Sequence, residues 1–135
     1  MGRERDMTDE QSIRAVIDAR IAALEAGDGS AAVAPLSPGI VAFEVAGPLV
    51  MPPEQVRDAS ATEAWLGSFD GPVRIEVDEL AIHVGGDVAF AHSLNRLAGS
   101  RGGQPIDLWL RSTLGFRRAD GEWTIVHAHT SVPRG

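Results

Sequence analysis

The sequence has no cysteine, which excludes disulfide bonds and thiolate chemistry. It also lacks a long apolar run, since no stretch approaches the roughly 20 residues that a membrane-spanning helix needs. Basic residues are outnumbered, 12 against 19 acidic ones, and the formal net charge is −7. This balance argues against a nucleic-acid partner, because proteins that bind nucleic acid usually carry a basic patch. Tyrosine is absent as well.

The 135 residues fit one domain with a hydrophobic core, because 44% of them are apolar. We predict a disordered tail over residues 1–7 and a single domain over residues 8–133. The first residues, MGRERDMTDEQ, lack the apolar segment of a secretion signal. We therefore expect a cytoplasmic protein without a membrane or nucleic-acid partner.

Helical signals occupy the first half of the chain. Residues 8–28 (TDEQSIRAVIDARIAALEAGD) predict a helix whose capping box is formed by Thr8 and Gln11. Its apolar residues follow the spacing of one buried stripe: Ile13, Val16, Ile17, Ile21 and Leu24.

A second helix is predicted over residues 60–69 (SATEAWLGSF). Ser60 and Glu63 fit another capping box at its start. Trp65 and Phe69 lie four residues apart, so we expect both aromatic side chains to pack inward.

Strand signals separated by turns fill the second half. Residues 73–84 alternate in polarity, and the parity flips between Val77 and Leu80, which predicts a β-bulge. Residues 88–97, 106–118 and 122–132 predict further strands, with hairpin turns at GGD (85–87) and ADG (119–121). A short strand over residues 40–45 contains Glu44. Helices followed by an antiparallel meander predict an α+β fold, a bent sheet with helices on one face around a pocket.

The last strand carries two histidines, His127 and His129, separated by one residue. By strict alternation they share a face with Trp123 and Ile125. The opposite face is apolar and small, and a second copy of the chain would cover it, so we expect a homodimer.

The neighbours of these histidines depend on the length of the ADG turn. A three-residue loop places Arg111 opposite His129 and Thr113 opposite His127. A two- or four-residue loop places Ser112 and the leucines there instead. We favour the three-residue loop because it gathers polar groups with polar groups.

Several stretches resemble the nuclear transport factor 2-like (NTF2-like) superfamily, in its SnoaL-like or ketosteroid isomerase-like branch. They are WLRSTLGFRRADGEWTIVHAHTSVP, AGD after the first helix, IVAFEVAGPL and GGDVAFAHS. The resemblance covers residues 8–133. It implies a cystatin-like cone: a strongly curved antiparallel sheet with about three helices packed on its concave side, a deep cavity and commonly a homodimer. Ketosteroid isomerase-like enzymes place their carboxylate base on the strand after the early helices, and Glu44 matches that place.

The oxyanion hole of those isomerases does not carry over. That family uses a tyrosine and a protonated aspartic acid from a late strand, whereas this chain has no tyrosine and its late-strand position falls near Arg111 and Thr113. An anion would have to be stabilised by Arg111, His127 or His129. Limonene epoxide hydrolases, also in the superfamily, use an Asp-Arg-Asp set, which Asp107 and Arg111 match in part.

The polar residues leave alternatives open. The histidine pair fits metal ligands completed by Glu44 or His92, a general base with its partner, or structural pocket lining. Glu44 fits a solvated edge residue, or a cavity base whose pKa burial would raise. Arg111 fits internal pairing with a carboxylate, or bidentate binding of a ligand carboxylate.

Together these patterns predict a pocket for a small, mostly apolar molecule with one polar or anionic handle. We expect cofactor-free acid–base chemistry of isomerase, cyclase or hydrolase type, with neither metal nor cofactor. The alternatives are a non-catalytic binding module and an accessory subunit. The candidate catalytic residues are Glu44, His127 and Arg111, and the candidate ligand-binding residues are His129, Trp109, Trp65 and Asn95.

Overall fold

The computed structural model describes residues 7–133, which form helices packed on a curved five-stranded sheet. The elements are α1 (Asp9–Glu25), α2 (Gly29–Val33), β1 (Leu36–Phe43), α3 (Pro53–Val56), α4 (Ala59–Gly67), β2 (Arg74–Gly85), β3 (Val88–Arg101), β4 (Gln104–Ala119) and β5 (Glu122–Ser131). The predicted α+β fold is confirmed. The tail predicted over residues 1–7 lies outside the described residues except for Met7.

The strands follow the order β1-β5-β4-β3-β2. Neighbours are antiparallel from β2 to β5, whereas β1 runs parallel to β5. β1 begins at Leu36, before the predicted start at residue 40, and its pairing with β5 shifts between Leu36 and Val41. Glu44, predicted inside this strand, follows directly after its end.

The helix starts show which capping patterns operate. At α1 the predicted capping box of Thr8 and Gln11 is present. At α4 the predicted box of Ser60 and Glu63 is wrong, because the carboxylate of Asp58 accepts from the first backbone N–H groups of the helix. Among residues 7–133, every helix is too short or too polar to traverse a lipid bilayer.

Two apolar clusters lie between the helices and the sheet. The first, at the α1 side, consists of Ile13, Ile17, Leu36, Ile40, Ala89, Ala91, Phe116, Trp123 and Ile125. The second, under α4, consists of Leu66, Phe69, Val73 and Leu97. These residues define the helix-facing side of the sheet; we call the opposite side the outer face.

Two bulges and a tight turn set which side chains reach each side. The predicted bulge in β2 is present between Asp78 and Ala81. The β4–β5 hairpin closes through a two-residue turn, since Ala119 pairs with Glu122 and both Asp120 and Gly121 have positive φ. The three-residue ADG loop we favoured is therefore wrong. A further shift in the pairing, between Gly115 and Phe116, leaves Val126 as an extra residue in β5.

Candidate functional site

Polar side chains interrupt the helix-facing side of the sheet between the two apolar clusters. On β3, Ser93 and Asn95 separate Ala91 of the first cluster from Leu97 of the second. Both are half-buried, and the Ser93 hydroxyl donates to Oδ1 of Asn95 over 2.8 Å. Because residues two apart on a strand point to the same side, all four face the helices.

The neighbouring strands extend this interruption. Ser112 of β4 lies opposite Ser93, and Thr130 of β5 lies opposite Ser112. On β4, Ser112 is flanked by Leu114 and Leu110, which pack against the first and second clusters respectively. A row of hydroxyl groups therefore crosses three strands where the sheet would otherwise be apolar.

Arg20 of α1 places a positive charge between the same two apolar clusters as the row of hydroxyl groups. It lies three residues after Ile17 of the first cluster and four before Leu24, which packs on the second, so it occupies the sheet-facing stripe of α1. Its Nε donates to the carbonyl oxygen of Ala32 over 3.2 Å. Burial lowers the pKa of Arg20 and the charge of Glu44 opposes that shift, and arginine stays protonated at neutral pH.

Glu44 supplies the negative charge. It follows β1 two residues after Ala42, which is fully buried. Burial of its carboxyl group raises the pKa of Glu44, and the charges of Arg20 and His129 act in the opposite direction. The residue as a whole is exposed, so the groups packed around the carboxylate, rather than complete enclosure, hinder its hydration. A raised pKa makes the ionised carboxylate a stronger proton acceptor than an ordinary one.

We call these residues the polar strip: Arg20, Glu44, Ser93, Asn95, Ser112 and Thr130. Glu44 and Asn95 are the members of this set that were predicted from the sequence, and the others were not predicted. Arg20 had a usable signal, since a basic residue stood within the apolar stripe of a helix.

The two terminal histidines face away from the polar strip. Ile125 pairs with Phe116 and both are buried among the helices, but His127 pairs with Gly115, the next residue along β4. Adjacent residues of a strand point to opposite sides, so His127 lies on the outer face, as does His129, which pairs with Thr113. The expectation that both share a face with Ile125 is wrong, because the extra residue Val126 reverses the alternation.

On the outer face the histidines have defined partners. Nδ1 of His127 lies 2.7 Å from the carbonyl oxygen of Val41. The ring of Phe43 meets those of His127 and His129 edge-on, with centroids 5.1 and 5.4 Å apart. On the neighbouring strands His83 stacks on Phe90, centroid to centroid 4.6 Å.

The other predicted site residues are also separated from the polar strip. Arg111 pairs with Ser131, not with His129, and its Nε and Nη2 donate to Ser131 Oγ and to the carbonyl oxygen of Val132 over 3.2 and 3.1 Å. Trp109 lies on the same outer face, near Arg96. Trp65 packs edge-on against Phe69 but is 45% exposed. Within residues 7–133 no group of three potential ligand side chains is arranged to hold a metal ion.

The family of this chain follows from comparison with known proteins. The profile of the SnoaL-like domain matches residues 13–135. The chain belongs to the SnoaL-like family. The resemblance noted in the sequence is thereby confirmed. The comparison with curated proteins gave no match.

Solved structures place this SnoaL-like chain among NTF2-like folds. An NTF2-like protein of unknown function from Pseudomonas putida KT2440 is similar at 30% identity with a TM-score of 0.80, over 96% of this chain and 92% of that one. A proposed dehydratase of the NTF2-like family from Streptomyces avermitilis is 15% identical, with a TM-score of 0.81 over 94% and 98% of the two chains. A cystatin-like NTF2-like protein from Novosphingobium aromaticivorans has a TM-score of 0.77 at 16% identity, over 94% and 83%. The last two likenesses concern the fold alone.

Proposed function

We propose that this SnoaL-like protein binds a small, mostly apolar molecule at the polar strip and transfers a proton on it through Glu44. The observation that carries the proposal is the strip itself, a band of polar groups flanked on both sides by apolar clusters. The apolar clusters suit the body of a ligand, and the strip suits its polar handle.

Glu44 is the base in this proposal. Its raised pKa makes it a stronger proton acceptor than an ordinary carboxylate while it remains able to ionise. Arg20 supplies the positive charge that the handle faces, and it favours negative charge developing there during proton removal. Isomerisation and dehydration both begin with such a proton removal, which is compatible with the dehydratase proposed among the structural neighbours.

Proton exchange on 2-tetralone in D2O tests this function. Glu44 would take a proton from the carbon beside the carbonyl, leaving an enolate, and after exchange with solvent it would return a deuteron to that carbon. We expect exchange, followed by NMR, to be faster with the protein than with acetate at equal pH. Glu44→Gln should abolish the acceleration while 2-tetralone still shifts amide signals of the strip, and Glu54→Gln, on the exposed part of α3, should retain it.

The outcomes separate the two classes of function. Binding without exchange in the wild-type protein would favour the non-catalytic binding module. Equal exchange by wild type and Glu44→Gln would exclude Glu44 as the base.

A second copy of the chain is the partner we propose for the outer face. Five large apolar side chains on this face are more exposed than a monomer would favour: Val41, Val88, Phe90, Leu94 and Trp109. They share one side with the histidines and Arg111, so the surface interleaves exposed apolar side chains with polar groups, and symmetric interfaces use both kinds. In this arrangement His127 and Arg111 serve the interface rather than proton transfer.

A further inference from the structure

We propose that Arg20 is the anion-binding residue of the polar strip, and that the molecule bound there is an apolar carboxylic acid held as its carboxylate. This inference rests on the proposed function and narrows the ligand to one chemical class. Arg20 occupies one position of the sheet-facing stripe of α1. The apolar residues Ile13, Ile17 and Leu24 occupy other positions of that stripe.

The guanidinium of Arg20 keeps most of its hydrogen-bonding capacity. Within residues 7–133 its one side-chain hydrogen bond is that from Nε to Ala32, and no carboxylate oxygen lies within 4.0 Å of it. Both Nη atoms therefore have donors to spare. A guanidinium has five N–H donors in a planar fork that matches the two oxygens of a carboxylate.

These free donors are not completely sealed from solvent. In the described part of the chain, no side-chain nitrogen or oxygen of a non-exposed residue is both sealed from solvent and without a hydrogen-bond partner. Because Arg20 is half-buried and its Nη atoms lack partners among residues 7–133, those atoms keep some solvent-exposed surface. The charge is nevertheless desolvated enough to lower its pKa.

An unpaired, partly desolvated guanidinium destabilises a fold unless something binds it. An aliphatic side chain at this position would extend the apolar stripe and pack better. Arg20 therefore lowers the stability of the fold in exchange for a binding site. A bound carboxylate would pair with its guanidinium through two charge-assisted hydrogen bonds.

Glu44 sets the pH dependence of this binding. A carboxylate at Arg20 adds negative charge close to Glu44, so the complex forms more readily when Glu44 is protonated, and the fraction of the complex in which Glu44 is ionised and can act as the base grows as pH rises. The charged groups that act on Glu44 are Arg20 from α1 and His129 from β5. Affinity for a carboxylate should fall as pH rises through the elevated pKa of Glu44, and Glu44→Gln should remove that fall.

Matched carboxylate–amide pairs test the inference. We would titrate benzoate, 2-naphthoate, benzamide and 2-naphthamide into the full chain, using calorimetry and amide NMR shifts. We expect the better-fitting carboxylate to bind at least about tenfold more tightly than its amide. Arg20→Met should abolish that preference and raise the melting temperature, Arg20→Lys should weaken the preference, and Arg14→Met, at an exposed position of α1, should leave it intact.

Each other outcome has a definite meaning. Equal binding of carboxylate and amide to the wild-type chain, or a preference that survives in Arg20→Met, would overturn the role of Arg20 and leave the pocket proposal standing. Binding of neither member of any pair would overturn both.

Discussion

His127 lies directly opposite Gly115 across β4 and β5, on the side of the sheet that faces away from the helices. A Cβ atom at Gly115 would come within 3.2 Å of the Cβ of His127, so the absence of a side chain at residue 115 gives the histidine its room. The ring then reaches across to β1, where its Nδ1 meets the carbonyl oxygen of Val41. This pairing fixes the orientation of an imidazole that the sequence suggested as a catalytic group.

The contact with Val41 predicts the tautomer of His127. A carbonyl oxygen only accepts hydrogen bonds, so the neutral ring must carry its proton on Nδ1 and leave Nε2 as the acceptor. Long-range ¹H–¹⁵N correlation spectra at alkaline pH should show the Nδ1–H pattern for this histidine. An Nε2–H pattern would contradict the hydrogen bond from His127 to Val41.

Glu44→Gln should stabilise the protein at neutral pH. Burial raises the pKa of Glu44, so the native state binds this proton more tightly than the unfolded chain does. The stabilising contribution of the protonated carboxyl is complete below the ordinary value of 4.5 and is lost as pH rises through the elevated one. Thermal unfolding at several pH values should show the variant more stable than wild type at pH 7 to 8, with the difference closing towards about pH 4.

The matched change Glu54→Gln, on an exposed part of the chain, should give no such divergence with pH. A Glu44→Gln variant less stable than wild type at pH 8 would show that the carboxylate, in its ionised form, supports the fold.

Gly29→Ala should destabilise the protein through the contact of α2 with α4. A Cβ atom at residue 29 would lie 2.3 Å from the carbonyl oxygen of Ala59 and 2.6 Å from Cγ of Glu63, closer than packing allows. The Gly29 N–H also donates to Glu63 Oε2 over 3.0 Å, so the helices cannot separate without loss of that bond. We expect the free energy of unfolding, measured by chemical denaturation, to fall by about 1–3 kcal/mol.

Gly67→Ala is the control for this substitution. A Cβ atom at Gly67, the last residue of α4, meets nothing within 4 Å, so its unfolding free energy should stay within about 0.5 kcal/mol of wild type. Equal effects at the two glycines would refute close packing of α2 on α4.

Phe90→Asp should dissociate the proposed homodimer. Phe90 is 48% exposed on the outer face, where its ring stacks on that of His83. A carboxylate there would be buried by a second copy, and its desolvation would oppose association. Light scattering after size exclusion should give twice the chain mass for wild type and the single-chain mass for the variant.

Leu49→Asp serves as the matched control, because Leu49 is 95% exposed but belongs to the loop after β1 rather than to the outer face. This variant should remain dimeric. If the wild-type protein is monomeric at a concentration of tens of micromolar, the outer face is not a homodimer interface.

Much of the fold could be predicted from the sequence because its elements carry strong local signals. The stripe of α1, the parity flip in β2 and the run of alternating strands each specify structure over neighbouring residues. The fold class follows from their order. The start of α4 was misplaced because Ser60 and Glu63 fitted a capping box while Asp58, two residues earlier, supplied the stronger acceptor.

The faces of the last strand could not be predicted in the same way. Trp123 and Ile125 make one parity of β5 apolar, and Val126 and Ala128 make the other apolar, so both choices gave a plausible buried side. Only the pairing with β4 shows that the buried side changes parity at Val126. The position of Arg20, in contrast, could be predicted from the sequence, because its spacing from Ile17 and Leu24 places it on the buried stripe of α1. It was left out of the predicted core because its side chain is charged.

The extra residue at Val126 also affects how the length of β5 can change in evolution. Deleting that one codon would restore strict alternation without exchanging the two faces, because Ile125 would then be followed directly by His127: the imidazoles of His127 and His129 would stay on the outer face and the hydroxyl of Thr130 on the side of the helices. A lineage could therefore gain or lose that residue and keep the same side chains on each face, whereas a one-residue change in a regularly paired stretch would reverse the face of every residue beyond it. The hairpin between β4 and β5 is thus a place where relatives of this chain can differ in length and still present the same groups.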